Sequence, residues 1–215
     1  MTRSSLLPQL PTKLDNHGKL IIVGGDGRDQ IRVADEPDPD SLAIKAVLVY
    51  GRGVATVYDA YKVNQIDIFA GGGDDAVTVQ HSGGVYVDAG EGNDSVTGGA
   101  GADTITGGAG KDLLDGGAGD DRINGSGGHD RLIGGEGNDR LYGGAGNDTL
   151  EGDSGVDRFF AGDGDDLLSG GGSNDKLYGE GGNDALYGGT GVDLLNGGDG
   201  ADFEANDGID KLVDT

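Results

Sequence analysis

A carboxylate returns every ninth residue through more than half of this chain, at Asp94, Asp103, Asp112, Asp121, Asp130, Asp139, Asp148, Asp157, Asp166, Asp175, Asp184, Asp193 and Asp202. Two places after each of the first twelve stands a large apolar residue, from Val96, Ile105 and Leu114 through Phe159 to Leu195. Glycines precede each Asp, as in Gly98-Gly99-Ala100-Gly101-Ala102-Asp103-Thr104-Ile105. A carboxylate in a glycine-rich turn, with backbone carbonyls beside it, is a set of oxygen donors in a flexible frame. That set suits Ca²⁺, whereas Mg²⁺ demands a tighter octahedron and keeps its waters. Zinc and copper prefer nitrogen and sulfur, and the chain has three histidines and no cysteine.

The spacing also dictates what must hold these carboxylates. The phrase Gly-Gly-x-Gly-x-Asp-x-U-x, with U apolar, divides into a six-residue glycine turn and a three-residue strand. Glycine permits the positive φ angles and close backbone approach that such a turn needs. The middle strand residue points inward and its neighbours outward. Two phrases make one flattened coil, with a strand on each side. Coils stack about 4.8 Å apart, so each Asp lies one coil above another. A column of carboxylates about 5 Å apart calls for cations. A short fixed period is the mark of a repeat architecture.

Composition agrees. Glycine supplies 48 residues and acids outnumber bases 39 to 15, a balance that in a sequence without period points to disorder. Residues 89–205 hold 24 of those acids against 6 bases, and so −18 of the net −24. Such charge disfavours nucleic acid and anionic membranes as direct partners and favours cations. No apolar run approaches the length of a membrane span. One apolar residue in nine is little to set against about 1–2 kcal/mol of ordering cost per residue. The metal-free block is therefore expected to be unfolded or molten, with metal binding and folding a single event. Millimolar Ca²⁺ acting on sites with dissociation constants near 10⁻⁴ M adds on the order of 1.5 kcal/mol per site.

The phrase resembles the RTX, or haemolysin-type, calcium-binding repeat, over 89–205 without a gap and again at 24–32 and 70–78. The resemblance implies an all-β, right-handed parallel β-roll, a β-solenoid with two nonapeptide repeats per coil. It implies several Ca²⁺ ions held between stacked turns, with each matching Asp a ligand, including Asp29 and Asp75. It also implies an extracellular, secreted protein; Leu6-Leu7, broken by Pro8 and Pro11, is too short for a secretory apolar segment, so a cleaved N-terminal signal is not expected. Ser126, Asp153 and Glu180 replace the second glycine of their phrases and Ser173 the third, so altered geometry is expected there.

Outside the regular block, residues 1–18 read as an irregular lead-in. Residues 19–88 read as degenerate coils of the same solenoid: Leu20-Ile21-Ile22-Val23 as a strand, Gly24–Arg32 and Ala70–Thr78 as copies of the phrase, and Leu42–Tyr50 with Val54–Tyr58 as an inserted β-hairpin. The loop His81-Ser82-Gly83-Gly84 lacks the Asp, and the step from Asp75 to Asp94 exceeds two phrases by one place. At the far end Glu204 takes the apolar position, and residues 206–215 read as a cap.

One pattern is not required by calcium. Arg122, Arg140, Arg158 and Lys176 recur in every second phrase at an outward position, and Tyr142, Phe160 and Tyr178 recur on the same strands across the apolar residue. In a roll these become a cationic and an aromatic ladder on one outer face. They serve either as cross-strand stacking or as a face for an acidic polysaccharide or another protein. Gly152-Asp153-Ser154-Gly155 looks like a protease nucleophile segment but sits in repeat register, and the chain has no His-Glu-x-x-His and no Gly-x-Ser-x-Gly. The sequence thus points to a non-catalytic, secreted structural, adhesive or ligand-presenting module folded by calcium. The alternative is a carrier or fragment of a secreted enzyme whose catalytic part is missing or unrecognised.

Overall fold

A computed structural model describes residues 12–14, 19–37, 44–51, 54–59, 65–205 and 210–213. The rest of the lead-in, residues 38–43, 52–53 and 60–64, and most of the expected cap lie outside the described residues. The strands, in chain order, are β1 (Thr12–Leu14), β2 (Lys19–Gly25), β3 (Gln30–Pro37), β4 (Ile44–Gly51), β5 (Val54–Asp59), β6 (Gln65–Gly72), β7 (Ala76–Gln80), β8 (Val85–Glu91), β9 (Ser95–Gly99), β10 (Thr104–Gly110) and β11 (Leu113–Ala118). They continue as β12 (Arg122–Gly128), β13 (Arg131–Glu136), β14 (Arg140–Ala145), β15 (Thr149–Ser154), β16 (Arg158–Asp163), β17 (Leu167–Gly172), β18 (Lys176–Gly181), β19 (Ala185–Thr190), β20 (Leu194–Asp199), β21 (Phe203–Ala205) and β22 (Lys211–Leu212). There is no helix among the described residues, and so none long and apolar enough to cross a membrane.

The strands alternate between two parallel sheets, one coil contributing one strand to each. The first sheet runs β1-β2-β6-β8-β10-β12-β14-β16-β18-β20-β22, and the second runs β5-β4-β3-β7-β9-β11-β13-β15-β17-β19-β21. The all-β parallel solenoid implied by the repeat is therefore present. Register follows the period: Arg122 pairs with Arg140, Ile123 with Leu141 and Asn124 with Tyr142, each partner standing at the same place one coil on. The U residues, Ile105, Leu114, Ile123, Leu132, Leu141, Leu150, Phe159, Leu168, Leu177, Leu186 and Leu195, are all fully buried and form one core between the sheets.

Three features depart from the sequence expectation. The strands outrun the short close of each phrase. In β14 the run Arg140–Ala145 carries the ladder on through Gly143 and Gly144, leaving Gly146-Asn147-Asp148 as the turn. The glycine pair lets the chain pair at a positive φ, 116° at Gly144, where a side chain would meet the coil before it. Within the lead-in, Thr12–Leu14 forms a strand antiparallel to β2, which covers that sheet's first edge. Beyond residue 205, β22 adds a further parallel strand to β20, so the first sheet extends through Leu212.

The upstream segment joins the same two sheets. β2 pairs parallel with β6, and β3 parallel with β7. The hairpin β4–β5 is antiparallel and continues from β3, turning the start of the second sheet into a meander. The extra residue between Asp75 and Asp94 falls in the turn at 81–84. Ala76 of β7 pairs with Ser95 of β9, one place further on than the regular step by which Tyr86 of β8 pairs with Thr104 of β10.

Candidate metal centre: two buried columns of aspartate

Asp at the sixth place of each phrase closes its turn and points into the roll. From Asp75 through Asp193 these residues are at most 3 % exposed, and Asp29 is fully buried. They form two columns, one at the entry to each sheet. Each backbone N–H donates to the Oδ1 of the Asp one coil later: Asp103 to Asp121, Asp121 to Asp139, Asp139 to Asp157, Asp157 to Asp175 and Asp175 to Asp193, at 2.7–2.8 Å. The other column runs Asp94, Asp112, Asp130, Asp148, Asp166, Asp184 and Asp202 at 2.7–2.9 Å.

Asp29 and Asp75 begin this second column. Asp29 N–H donates to Asp75 Oδ1 across the inserted hairpin, and Asp75 N–H to Asp94 Oδ1 across the turn with the extra residue. The first column starts at Asp103, which accepts from the Val85 N–H because the preceding turn has no Asp. It ends one residue beyond the sequence-based set: Asp193 N–H donates to Asp210 Oδ1 at 3.1 Å. Asp210-Lys211-Leu212 repeats the Asp-x-U close of the phrase, and that was the signal for this residue.

The other carboxylate oxygen carries the chemistry. The Oδ2 atoms of Asp75, Asp94, Asp103, Asp112, Asp121, Asp130, Asp139, Asp148, Asp157, Asp166, Asp175 and Asp184 are buried without a hydrogen-bond partner. A buried polar atom left unsatisfied is costly, and a row of twelve calls for a ligand. Most lie over the first glycine of their turn. A β-carbon on Gly125 would sit 2.5 Å from Asp130 Oδ2 and 2.7 Å from the Gly143 carbonyl oxygen of the next coil. A carboxylate oxygen and the carbonyl of the next coil's first glycine therefore flank one point. Ala70, Ala89 and Ala161 hold this first place in three turns, all fully buried, and Asp75, Asp94 and Asp166 keep their places in the column there.

Electrostatics agree. Burial pushes the carboxyls of Asp103, Asp157 and Asp166 up to about 7, against the N–H bond from the coil before, which favours the charged form. Asp75, Asp112, Asp121, Asp139, Asp148 and Asp175 rise to about 6 for the same reason. Column neighbours add repulsion, as Asp139 and Asp175 do at Asp157. Among the described residues no three His, Cys, Asp or Glu side chains converge on one point. A cation here would be held by carboxylates of successive coils together with turn carbonyls. That oxygen-only set fits Ca²⁺ and offers nothing to a metal that prefers nitrogen or sulfur.

The four replaced glycines keep the turn conformation, with φ of 81° at Ser126, 68° at Asp153, 89° at Ser173 and 75° at Glu180. The sign of φ is retained, but each value lies below those of the glycines at the same place, 97–126° for the second glycine and 106–148° for the third, so the geometry is altered as expected.

A second ladder escaped the sequence reading. The residue before Asp is often Asn or Asp, and its side chain accepts from the N–H one coil later: Asp120 from Asn138, Asn138 from Val156, Asn147 from Asp165, Asp165 from Asn183 and Asn183 from Ala201. His129 does the same through Nδ1 for Asn147. This exposed ladder points along the chain, while the buried one points back. The Asn138 hydrogen bonds hold the Asp120 carboxyl below the usual carboxylate range.

The two outer faces differ. On the first sheet Tyr142, Phe160 and Tyr178 stack, with ring centroids 5.3 and 5.2 Å apart and planes within 10°. Arg122 caps the stack, its guanidinium carbon 4.3 Å from the Tyr142 centroid and Nη1 donating to Tyr142 Oη at 2.9 Å. Arg140, Arg158 and Lys176 continue the column that Arg122 begins. On the second sheet Arg131 instead pairs with Glu151 at 2.7 Å.

A family model described as the RTX calcium-binding nonapeptide repeat (4 copies) matches residues 88–123, 115–150, 124–159, 151–186 and 169–204, together more than half of the chain. A comparison with curated proteins gives no match. The coils holding Asp29 and Asp75 lie outside those windows, yet continue the same buried column.

Proposed function

Because the chain belongs to the RTX calcium-binding nonapeptide repeat family, we propose that its inward aspartates are the calcium ligands and that cation binding and folding of the repeat block are one event. Repeats of this family bind calcium. The observation that carries the assignment of ligands is the row of buried, unsatisfied Oδ2 atoms in register along the roll. Bound Ca²⁺ supplies positive charge between stacked turns. The chain supplies the rest: Oδ1 fixes the spacing of coils through the N–H it accepts, Oδ2 and the turn carbonyls face the cation, and the glycines keep that space open.

Weak, numerous oxygen sites suit the millimolar calcium found outside cells, where affinities of about 10⁻⁴–10⁻³ M suffice. RTX repeat proteins are typically secreted. We therefore read the chain as an extracellular, non-catalytic structural or adhesive module that is unfolded over its repeat block until it meets calcium. Circular dichroism and thermal melting with calcium and with chelator test this. The expected result is strand signal that appears with calcium and is lost on chelation; a repeat block equally folded in chelator would overturn the switch.

A further inference from the structure

The outer face of the first sheet carries an arrangement that calcium binding does not use. Parallel register sets Arg140 beside Arg158 and Arg158 beside Lys176 on β14, β16 and β18. Like charges directly opposite on adjacent strands destabilise a sheet. An acid at the neighbouring outward position would relieve them, as Glu151 does for Arg131 on the other sheet. The neighbouring positions hold Tyr142, Phe160 and Tyr178 instead. In a chain with 39 acids, none of the described ones comes within ion-pair distance of these three cations. Asp120 senses Arg140 through space without pairing with it.

The aromatic column strengthens the strip rather than neutralising it. The rings lie face to face, so their faces are used by one another and by the Arg122 guanidinium. What they present outward is their edges, which carry the positive end of the ring quadrupole. Two of the three edges bear a phenol hydroxyl, at Tyr142 and Tyr178. The cationic column therefore offers donors and positive charge in coil register, and the tyrosine hydroxyls add donors beside it, with Glu180 and Asp199 bordering the Phe160–Tyr178 end. The column advances one cation per coil, or about 4.8 Å. A globular partner has no need of such periodicity; a linear polymer with one negative charge per short unit matches it.

We propose that this strip binds a linear acidic polysaccharide with one carboxylate per sugar, a polyuronate, laid along the solenoid axis. Arg140 and Arg158 take carboxylates through their planar guanidinium forks, Lys176 takes one as a point charge, and the tyrosine hydroxyls meet sugar oxygens. The proposal rests on the calcium reading, because filled Asp columns remove the negative field that would repel a polyanion.

The test uses the full chain in calcium and short galacturonate oligomers of about six units, read by calorimetry, with a neutral oligosaccharide and oligothymidylate as controls. The comparison is with the triple variant Arg140→Gln, Arg158→Gln, Lys176→Gln, whose calcium-dependent circular dichroism is recorded on the same samples. The expected result is salt-sensitive binding of the oligouronate, weakened at least tenfold in the variant while its calcium titration is unchanged. Three results overturn the proposal: equal binding by the variant, which assigns the contact to bridging calcium; equal binding of oligothymidylate, which makes the strip a general polyanion surface; or no oligouronate binding at all. A fold indifferent to calcium overturns the calcium reading instead, and the variant comparison on that folded chain still decides the glycan.

Discussion

The coils before residue 88 and the coils after it share two sheets but are held together differently. Upstream, five strands each bury two branched apolar side chains: Leu20 and Ile22 on β2, Ile31 and Val33 on β3, Ile66 and Ile68 on β6, Val77 and Val79 on β7, Val85 and Val87 on β8. In the repeat block each strand from β9 to β20 buries one large apolar residue and gives the second inward place to glycine or alanine, as with Leu132 and Gly134 on β13 or Leu141 and Gly143 on β14. The upstream end also carries three antiparallel pairings, β1 on β2, β4 on β3 and β5 on β4. Its buried turn carboxylates are sparse, and the first Asp column has none before Asp103. One backbone shape thus has two sources of cohesion: apolar burial at one end and, on the proposed calcium reading, carboxylate columns along the rest. On that proposal the upstream coils are the folded end on which the block adds coils as calcium arrives.

This contrast can be broken in several ways, the largest effect first. Limited proteolysis in chelator should cut throughout 89–205 and leave the upstream coils, while calcium protects the block. Early cutting upstream with the block intact would reverse the contrast. Next come core truncations. Ile68→Ala and Leu141→Ala each remove a fully buried side chain and should each cost about 2–5 kcal/mol in calcium. In chelator only Ile68→Ala should lower the melting temperature of what remains folded; a matching loss from Leu141→Ala would place metal-free structure in the block.

Asp139→Asn separates the two oxygens of one carboxylate. Asn retains an Oδ1 to accept the Asp121 N–H but loses the charge beside the turn carbonyls. The calcium midpoint should rise about three- to tenfold by titration of circular dichroism, while metal-free structure is helped by removing a buried charge. An unchanged midpoint would remove Asp139 from the ligand set.

The smallest expected effect is the pH dependence of the metal-free chain. Burial raises the folded-state values of Asp103, Asp157 and Asp166 to about 7, above the ordinary carboxylate value, so the folded roll holds more protons than the unfolded chain between the two. Stability from this source is full below the ordinary carboxylate range and is lost as pH rises through about 6 to 7. Residual strand signal in chelator should therefore grow on acidification. In calcium the direction reverses, because protons compete for the same oxygens. A metal-free chain that gained structure with rising pH would contradict the burial of these carboxylates.

Much of this was legible in the sequence because the period does the positional work. A ninefold spacing with one U residue per phrase fixes which side chain faces inward, and coil-to-coil register then follows, as Arg122, Arg140 and Arg158 show. Asp29 and Asp75 could be placed in the ladder despite the hairpin between them, because Gly24–Arg32 and Ala70–Thr78 keep the phrase. Direction was not legible. Spacing puts Asp above Asp, but only the folded turn shows that Oδ1 reaches back to an N–H while the preceding Asn or Asp reaches forward. Strand length was hidden because glycine reads as turn, whereas Gly143 and Gly144 extend the ladder. The aromatic ladder was legible, but that Tyr142 and Phe160 lie face to face, 5.3 Å apart, needed ring orientation.

The central claim is that the buried carboxylate columns couple calcium to the folding of the block. Residue-resolved hydrogen exchange across a calcium titration tests it most directly. The amides of Asp103, Asp121, Asp139 and Asp157, which donate along the column, should gain protection together with β9–β20 over one narrow calcium range. The amides of β2, β6 and β8 should remain protected throughout. Column amides already protected in chelator, and unchanged by calcium, would contradict the account.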